Sequence, residues 1–390
     1  MEQLQQQVAA LQVGGGAQAI IVVGEDGDTV AHGHGIAVGI GAEASGQQDT
    51  RAVVVFKRDG AFGGPACEDR VAGVDAPEDL ATDGKTLYVS DGPRVLRLEA
   101  GQFVEHLRLE GVITALACTP AGGLVAALDG RRVSIVSGPG KGTTWTGAEG
   151  IPFVAVNAIH ATQDGRLLVT DGSQNRPYEQ WCFDMMELGK TGRVVALDAQ
   201  SGGDGRVLRS GLRYAFGTCV ADDQIWVSET WKNRLVRAGA AGRDEVVTDW
   251  LPGYPGRINR AADGGWWLCA FAGRTHLIEF VLREPEFRKR MIKEVDPRYW
   301  IAPALSSGDD FLEPLQGAHV ITRGILKPYA PPRSYGLVIK LDASGTPVTS
   351  FQSRLDGKNH GAVAAVECDG ALYVLAKGPR RVLKLNIGAA

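Results

Sequence analysis

Residues 78–98 read EDLATDGKTLYVSDGPRVLRL: an extended lead-in, a turn at Asp83-Gly84, an alternating apolar and polar strand, a second turn at Asp91-Gly92 and another alternating strand. Period-two alternation sends successive side chains to opposite faces and predicts half-buried strands, and the Asp-Gly pairs predict hairpins between them. The same order recurs in HATQDGRLLVTDG with GRVVALD downstream (160–198), in CVADDQIWVSETWKNRLVRA (219–238), in NRAADGGWWLCAF with YGLVIKLD (259–342) and in AVECDGALYVLAKGPRRVLKL (365–385). A more worn copy is TALACTPAGGLVAALDGRRVSIV (114–136). Apart from two longer insertions the period is roughly 40 to 50 residues, the length of one four-stranded propeller blade. The pattern predicts an all-β fold, a six-bladed β-propeller closed around an axial channel.

Two stretches depart from the rhythm. Residues before about 75, including the strand-like RAVVVFKRDG (51–60), are expected to supply the outer strand that closes the last blade, so that the propeller spans 51–390 and residues 1–50 stay unassigned. Residues 281–334 interrupt blade 5: EPEFRKRMIKEVDPRYW reads as a short amphipathic helix, and a Pro/Gly-rich loop follows. An insertion between two strands of one blade is expected to fold as a lid over one channel end.

Composition narrows the partners. The 390 residues are 44% hydrophobic with a formal charge of −4, and the basic residues are scattered apart from Arg288-Lys289-Arg290. No phosphate-tracking surface is expected, hence no nucleic-acid partner; a small molecule is the expected one. No run reaches the roughly 18 apolar residues of a membrane span, and Glu2 stands where a secretory leader would be basic, so a cytoplasmic chain away from membranes is expected. The six cysteines are widely spaced without zinc-site spacing and read as reduced, buried thiols.

The strings NAIHATQDGRLLVTDGS (157–173), FDMMELGKTGRVVALDAQSG (183–202), GLRYAFGTCV with VSETWKNRLVRA (211–238), LPGYPGRINRAADGGWW (251–267) and PPRSYGLVIKLDASG (331–345) resemble the strictosidine-synthase-like proteins. These are six-bladed propellers related to the gluconolactonase and paraoxonase lactonases, and the resemblance covers roughly residues 70 to 388. In the calcium-dependent branch a Glu, two Asn and an Asp hold the metal, a ligand set suited to a hard cation. Glu78 matches the Glu and Asn157 one Asn. Phe216 stands over the second Asn, and Pro255-Gly256-Arg257-Ile258 lacks the Asp and brings a cation. The resemblance therefore implies no resident metal or other cofactor, with calcium disfavoured. Arg257 is expected in the metal's place, paired with Glu78 and offering donors to a carboxylate or oxyanion. The alternatives are a structural plug against Glu78 and a solvent-facing turn residue. Strictosidine synthase itself uses a last-blade glutamate, which would fall near 362–365; this chain reads HGAVAAV (360–366) there.

Other candidates follow from residue type. His360 precedes the last inner strand and could move protons; His160 could face the channel or be buried in its strand. Cys219 is expected to be a core thiol. Tyr214, Phe216, Trp231 and Tyr254 could wall an apolar pocket, with Asn157 and His160 contacting substrate. His32 and His34 read as loop residues, Asp171 and Asp184 as turn or blade contacts, and Trp266 and Trp267 as facing opposite sides of their sheet. Three functional classes stay open. One is a metal-independent hydrolase of a small lactone or ester, with Glu78 or His360 moving protons and Arg257 holding the oxyanion. The others are a condensing enzyme or lyase and a non-catalytic binding propeller.

Overall fold

Each repeated unit folds into a four-stranded sheet whose neighbouring strands run antiparallel, and in the computed structural model six such sheets form a β-propeller. The structure describes residues 74–387 except 201, 222–223, 239–243, 307–332 and 354–358. It also describes strands at Val22–Gly24, Phe56–Ala61, Cys67–Val71, Ile321–Thr322 and Ile325–Leu326. The inner strands of blades 1 to 6 are Pro77–Thr82, Ile113–Cys118, Val156–Ala161, Ala215–Ala221, Gly253–Arg260 and Ala362–Cys368, each beside the next around the channel. The loop histidines His32 and His34 lie outside the described residues.

The apolar faces are buried between blades. Trp226 and Leu235 of blade 4 pack with Trp266 and Leu268 of blade 5, while Trp267 and Cys269 turn the other way to Val374 and Leu383 of blade 6. The two tryptophans thus lie on opposite faces, as alternation requires. The acids that end the second strands latch each blade to the chain entering it: Asp171 accepts from the Ala155 N–H (2.7 Å), Asp129 from Val112 (2.8 Å) and Glu229 from Arg213 (2.9 Å). Arg193 pairs with Asp171 at 3.1 Å with both side chains buried. Asp184 accepts from Ser173 and from the Trp231 indole at 2.8 Å.

Residues before 75 do supply the closing strand of the last blade, but the segment that does so lies after RAVVVFKRDG. Cys67–Val71 lies antiparallel to Arg381–Asn386 and completes blade 6. Phe56–Ala61 instead runs parallel to Pro347–Gln352 on the outside of blade 5, and Val22–Gly24 pairs with it. Continuing the antiparallel blade 6 next to Arg381–Asn386 takes a strand running the other way; Cys67–Val71 does so, just before blade 1 begins.

Every inner strand carries a register shift near its first residues, between Pro77 and Leu80, Ile113 and Ala115, Val156 and Ala158, Ala215 and Thr218, Gly253 and Ile258, and Ala362 and Ala364. A bulge re-aims the residues inside it. Those residues include Glu78, Asp79, Thr114, Asn157, Phe216, Arg257 and Val363, and they form one layer at the end of the channel where the inner strands begin, called here the mouth.

Two insertions cover the mouth. The first, in blade 3, contains α1 (Trp181–Met186). The second joins Trp266–Gly273 to Leu337–Leu341 and, among its described residues, holds two α-helices rather than one, α2 (His276–Arg283) and α3 (Pro285–Glu294). Thr275 caps α2 through the Ile278 N–H, and Pro285 at the first position of α3 starts a new helix because its fixed φ suits a helix N-terminus. The insertions meet where Trp300, fully buried, packs edge-on against Phe183 (4.6 Å). Among the described residues no helix is long and apolar enough to cross a membrane.

Candidate functional site

Arg257 is 3% exposed and lies across the channel. Its Nη1 donates to the carbonyls of Glu78 (3.1 Å) and Val363 (3.3 Å), and its Nη2 to that of Thr114 (2.8 Å). One blade-5 side chain thereby ties blades 1, 2 and 6. Its nearest carboxylate is that of Asp79, with Nε 3.0 Å from Oδ1; Glu78 Oε1 is 4.0 Å from Nη2. The ring of Phe216 lies under the guanidinium at 5.1 Å. Three of its five N–H groups are held by ring carbonyls and it is absent from the lining of the cleft described below, so Arg257 is a structural bolt, and its expected place over a substrate oxyanion is corrected. Asp79, which sequence reasoning missed, is almost fully buried and accepts from the Leu116 N–H (2.9 Å) and the Leu80 N–H (2.8 Å). Burial raises its pKa to about 6, although Arg257 and the two N–H groups pull it down.

Glu78 faces outward from this bolt. Tyr178, from the blade-3 insertion, donates its hydroxyl to one carboxylate oxygen, and the Lys377 ammonium holds the other. The ammonium also lies over the Tyr178 ring, 5.4 Å from its centroid. Burial and the adjacent Glu78 charge push the Tyr178 phenol well above its usual range, so it stays a donor. Lys377 sits in the turn after Ala371–Ala376 and is one quarter exposed.

Beside Lys377 opens a narrow cleft whose free space, about 20 Å³, holds little more than a water molecule. Tyr178, Trp181, Tyr214, Phe216 and Phe271 supply aromatic walls, Val363 comes from the last blade and Leu305 from the lid. The rings brace one another: Trp181 stands edge-on to Phe271 (5.4 Å) and Tyr214 lies against Trp231 (4.6 Å). A larger open groove of about 520 Å³ between the turns of blades 2 and 3 brings Asp164 and Arg166 to its lining, but these are paired with each other at 2.7 Å.

The remaining sequence candidates are distributed unevenly. Phe216 and Tyr214 line the cleft. Asn157 is buried with both ends engaged, donating to the Ala215 carbonyl (3.0 Å) and accepting from Thr170 (2.6 Å), so it positions blade 4 and does not meet a ligand. Tyr254 is behind the wall, stacked on Phe271 at 6.2 Å, and is not in the lining. His160 is three residues beyond Asn157, about 10 Å toward the opposite channel end. Burial and Arg260 lower its pKa to about 4. His360 is held in the seam between the lid return and blade 6, its Nδ1 2.6 Å from Ser334 Oγ, and is absent from the cleft lining, which corrects its expected place at the reacting centre. Cys219 is fully buried and burial raises its thiol far above the usual range, in keeping with a core residue.

The donor set does not fit a divalent cation. The oxygens of Glu78 are taken by Tyr178 and Lys377, that of Asn157 by Thr170, and the other two positions hold a phenyl ring and a guanidinium. Among the described residues no group of three or more His, Cys, Asp or Glu is arranged to hold a metal.

Fold and site together define a six-bladed β-propeller with an aromatic cleft and a Glu–Lys pair over a channel closed by arginine. In sequence the chain stands beside the strictosidine-synthase-like proteins. It is 29% identical over 231 residues to protein strictosidine synthase-like 6 of Arabidopsis thaliana, 55% of this chain and 62% of the relative. It is 28% identical over 235 residues to the adipocyte plasma membrane-associated protein of Salmo salar, 56% of this chain and 48% of the relative. The chain thus spans about half to three fifths of these relatives' length. No family model matches it. A gluconolactonase from Xanthomonas campestris superimposes with a TM-score of 0.51 at 15% identity, covering 80% of this chain and 86% of that one, and so shares the fold.

Proposed function

We propose that the protein is a metal-independent hydrolase of a small lactone or ester whose acyl side is apolar. The observation that carries this reading is Lys377 in the lining of the aromatic cleft, with Glu78 paired to its ammonium from behind that lining and oriented by Tyr178. An ammonium has three donors and Glu78 takes one, leaving others for the oxygen of a bound carbonyl. Water attacks the carbonyl carbon as Glu78 accepts its proton, and the negative charge that develops on the oxygen is stabilised by Lys377. The C–O bond then breaks and Glu78 returns the proton to the departing alkoxide. The products are an acid and an alcohol, the two ends of one hydroxy acid when the substrate is a lactone. A condensation of the strictosidine-synthase type is less well supported, because hydrocarbon, Val363, stands where the last blade would supply its acid/base group.

Assay of the purified protein against 4-nitrophenyl acetate, phenyl acetate and a panel of lactones tests the reading. Turnover of at least one substrate should persist with excess EDTA and fall about 10²–10⁴-fold in Glu78→Gln, as expected for loss of a general base. Lys377→Met should lower kcat about 10²-fold or more. Absence of turnover across the panel, or its loss on chelation, would overturn the proposal, the first in favour of a binding propeller.

A further inference from the structure

Residues 300–306 of the lid form a strap that is pressed onto the turn carrying Lys377. The Leu305 carbonyl approaches so closely that a Cβ on Gly378 would stand 2.2 Å from its oxygen, and one on Gly361 2.7 Å. Both glycines belong to the structure that presents Lys377: the Lys377 N–H donates to the Gly361 carbonyl (2.9 Å) and the Gly378 N–H to that of His360 (3.2 Å). From behind, the Ala304 N–H donates to the Arg333 carbonyl (3.0 Å) and Arg333 Nε to that of Ala302 (3.3 Å). Trp300 anchors the start of the strap on Phe183. The strap is therefore fixed at both faces. Among the described residues of the insertion, Leu305 alone reaches the cleft wall.

We propose that Leu305 sets the size of the group the cleft admits and that Gly378 is the seat that holds it at that depth. The aromatic walls are rings locked against other rings and have little room to yield, whereas Leu305 is an aliphatic side chain on a separate segment. Its removal enlarges the cleft beside Lys377 without touching Glu78, Tyr178 or Arg257. A methyl at Gly378 meets backbone, which cannot rotate away, and lifts the strap instead. The substrate-size consequence rests on the hydrolase reading; the exposure of Lys377 does not.

Two readouts separate the proposals. In Leu305→Ala the ratio of kcat/KM for 4-nitrophenyl hexanoate over 4-nitrophenyl acetate should rise about tenfold or more, the scale on which an apolar pocket weighs methylenes. Independently, reductive methylation of Lys377 by formaldehyde and cyanoborohydride, followed by mass spectrometry, should be several-fold faster in Leu305→Ala and in Gly378→Ala than in the native chain. An unchanged ester ratio together with unchanged labelling in Leu305→Ala overturns the gate. If the native chain turns over no ester, the hydrolase reading fails and labelling decides alone: acceleration sustains the gate, and an unchanged rate sinks it. Should Gly378→Ala not fold, Leu305→Ala carries the test.

Discussion

Arg257 and Asp79 face each other in a space closed to water, so each is tolerated only because the other is there. Removing one leaves the other buried and uncompensated. Arg257→Met and Asp79→Asn should each cost about 3–5 kcal/mol, and the double variant less than their sum; denaturant unfolding of the four proteins measures the coupling. Titration adds a signature of opposite signs. Asp79, raised from 3.8 to about 6, binds its proton more tightly folded than unfolded, so its contribution to stability is full below pH ~4 and declines up to pH ~6. His160, lowered from 6.5 to about 4, is neutral when folded while the unfolded chain takes up a proton, so stability is lost as pH falls from ~6.5 to ~4. His160→Gln should flatten that loss by roughly 1 kcal/mol in thermal melts across the window. An unchanged slope would show the imidazole to be solvated. Glu78 and Phe216 were singled out through the resemblance and Tyr214 as a candidate pocket wall; Tyr214 and Phe216 line the cleft, and Glu78 is paired with Lys377 beside it. Asp79 was not, because neighbours on a regular strand face opposite sides, and only the bulge between Pro77 and Leu80 brings both carboxylates to Arg257. Lys377 had a signal that went unread: the second strands of four copies end in Asp91, Asp129, Asp171 and Glu229, whereas the last ends in Ala376-Lys377.

Among the elements, the hairpins could be read because their information is local: period-two alternation and a turn dipeptide fix each pair. The lid was half legible. EPEFRKRMIKE shows a helix by its pattern, and α3 is there; HLIEFVLR is too short and apolar to be told from a strand, and its signals were Thr275 at the cap and Pro285 at the following start. Tyr178 lies in an insertion with no counterpart in the other copies, so the repeat could not place it over Glu78.

At the scale of the whole ring, closure joins residues more than three hundred positions apart, Cys67 with Leu385; the repeat count called for a closing strand from before residue 75, but no local pattern said which segment supplies it. It makes a sharp prediction. A chain begun at residue 62 keeps Cys67–Val71 and should melt close to the full chain, having lost, among the described residues, the two parallel strands Phe56–Ala61 and Val22–Gly24 outside blade 5. A chain begun at residue 74 bares the edge of Arg381–Asn386 and should melt several degrees lower and self-associate, because an unpaired edge recruits other strands. Differential scanning calorimetry and size-exclusion chromatography read both effects. Equal melting of the two truncated chains would show that blade 6 holds without its fourth strand.

The guanidinium laid across the channel also governs traffic. A propeller open along its axis could admit a molecule at one face and discharge it at the other; here the bolt at Glu78, Thr114 and Val363 leaves a blind well. A ligand seated beside Lys377 therefore lies on the mouth side of the arginine, and its arrival and departure are expected on that side, past the strap that carries Leu305.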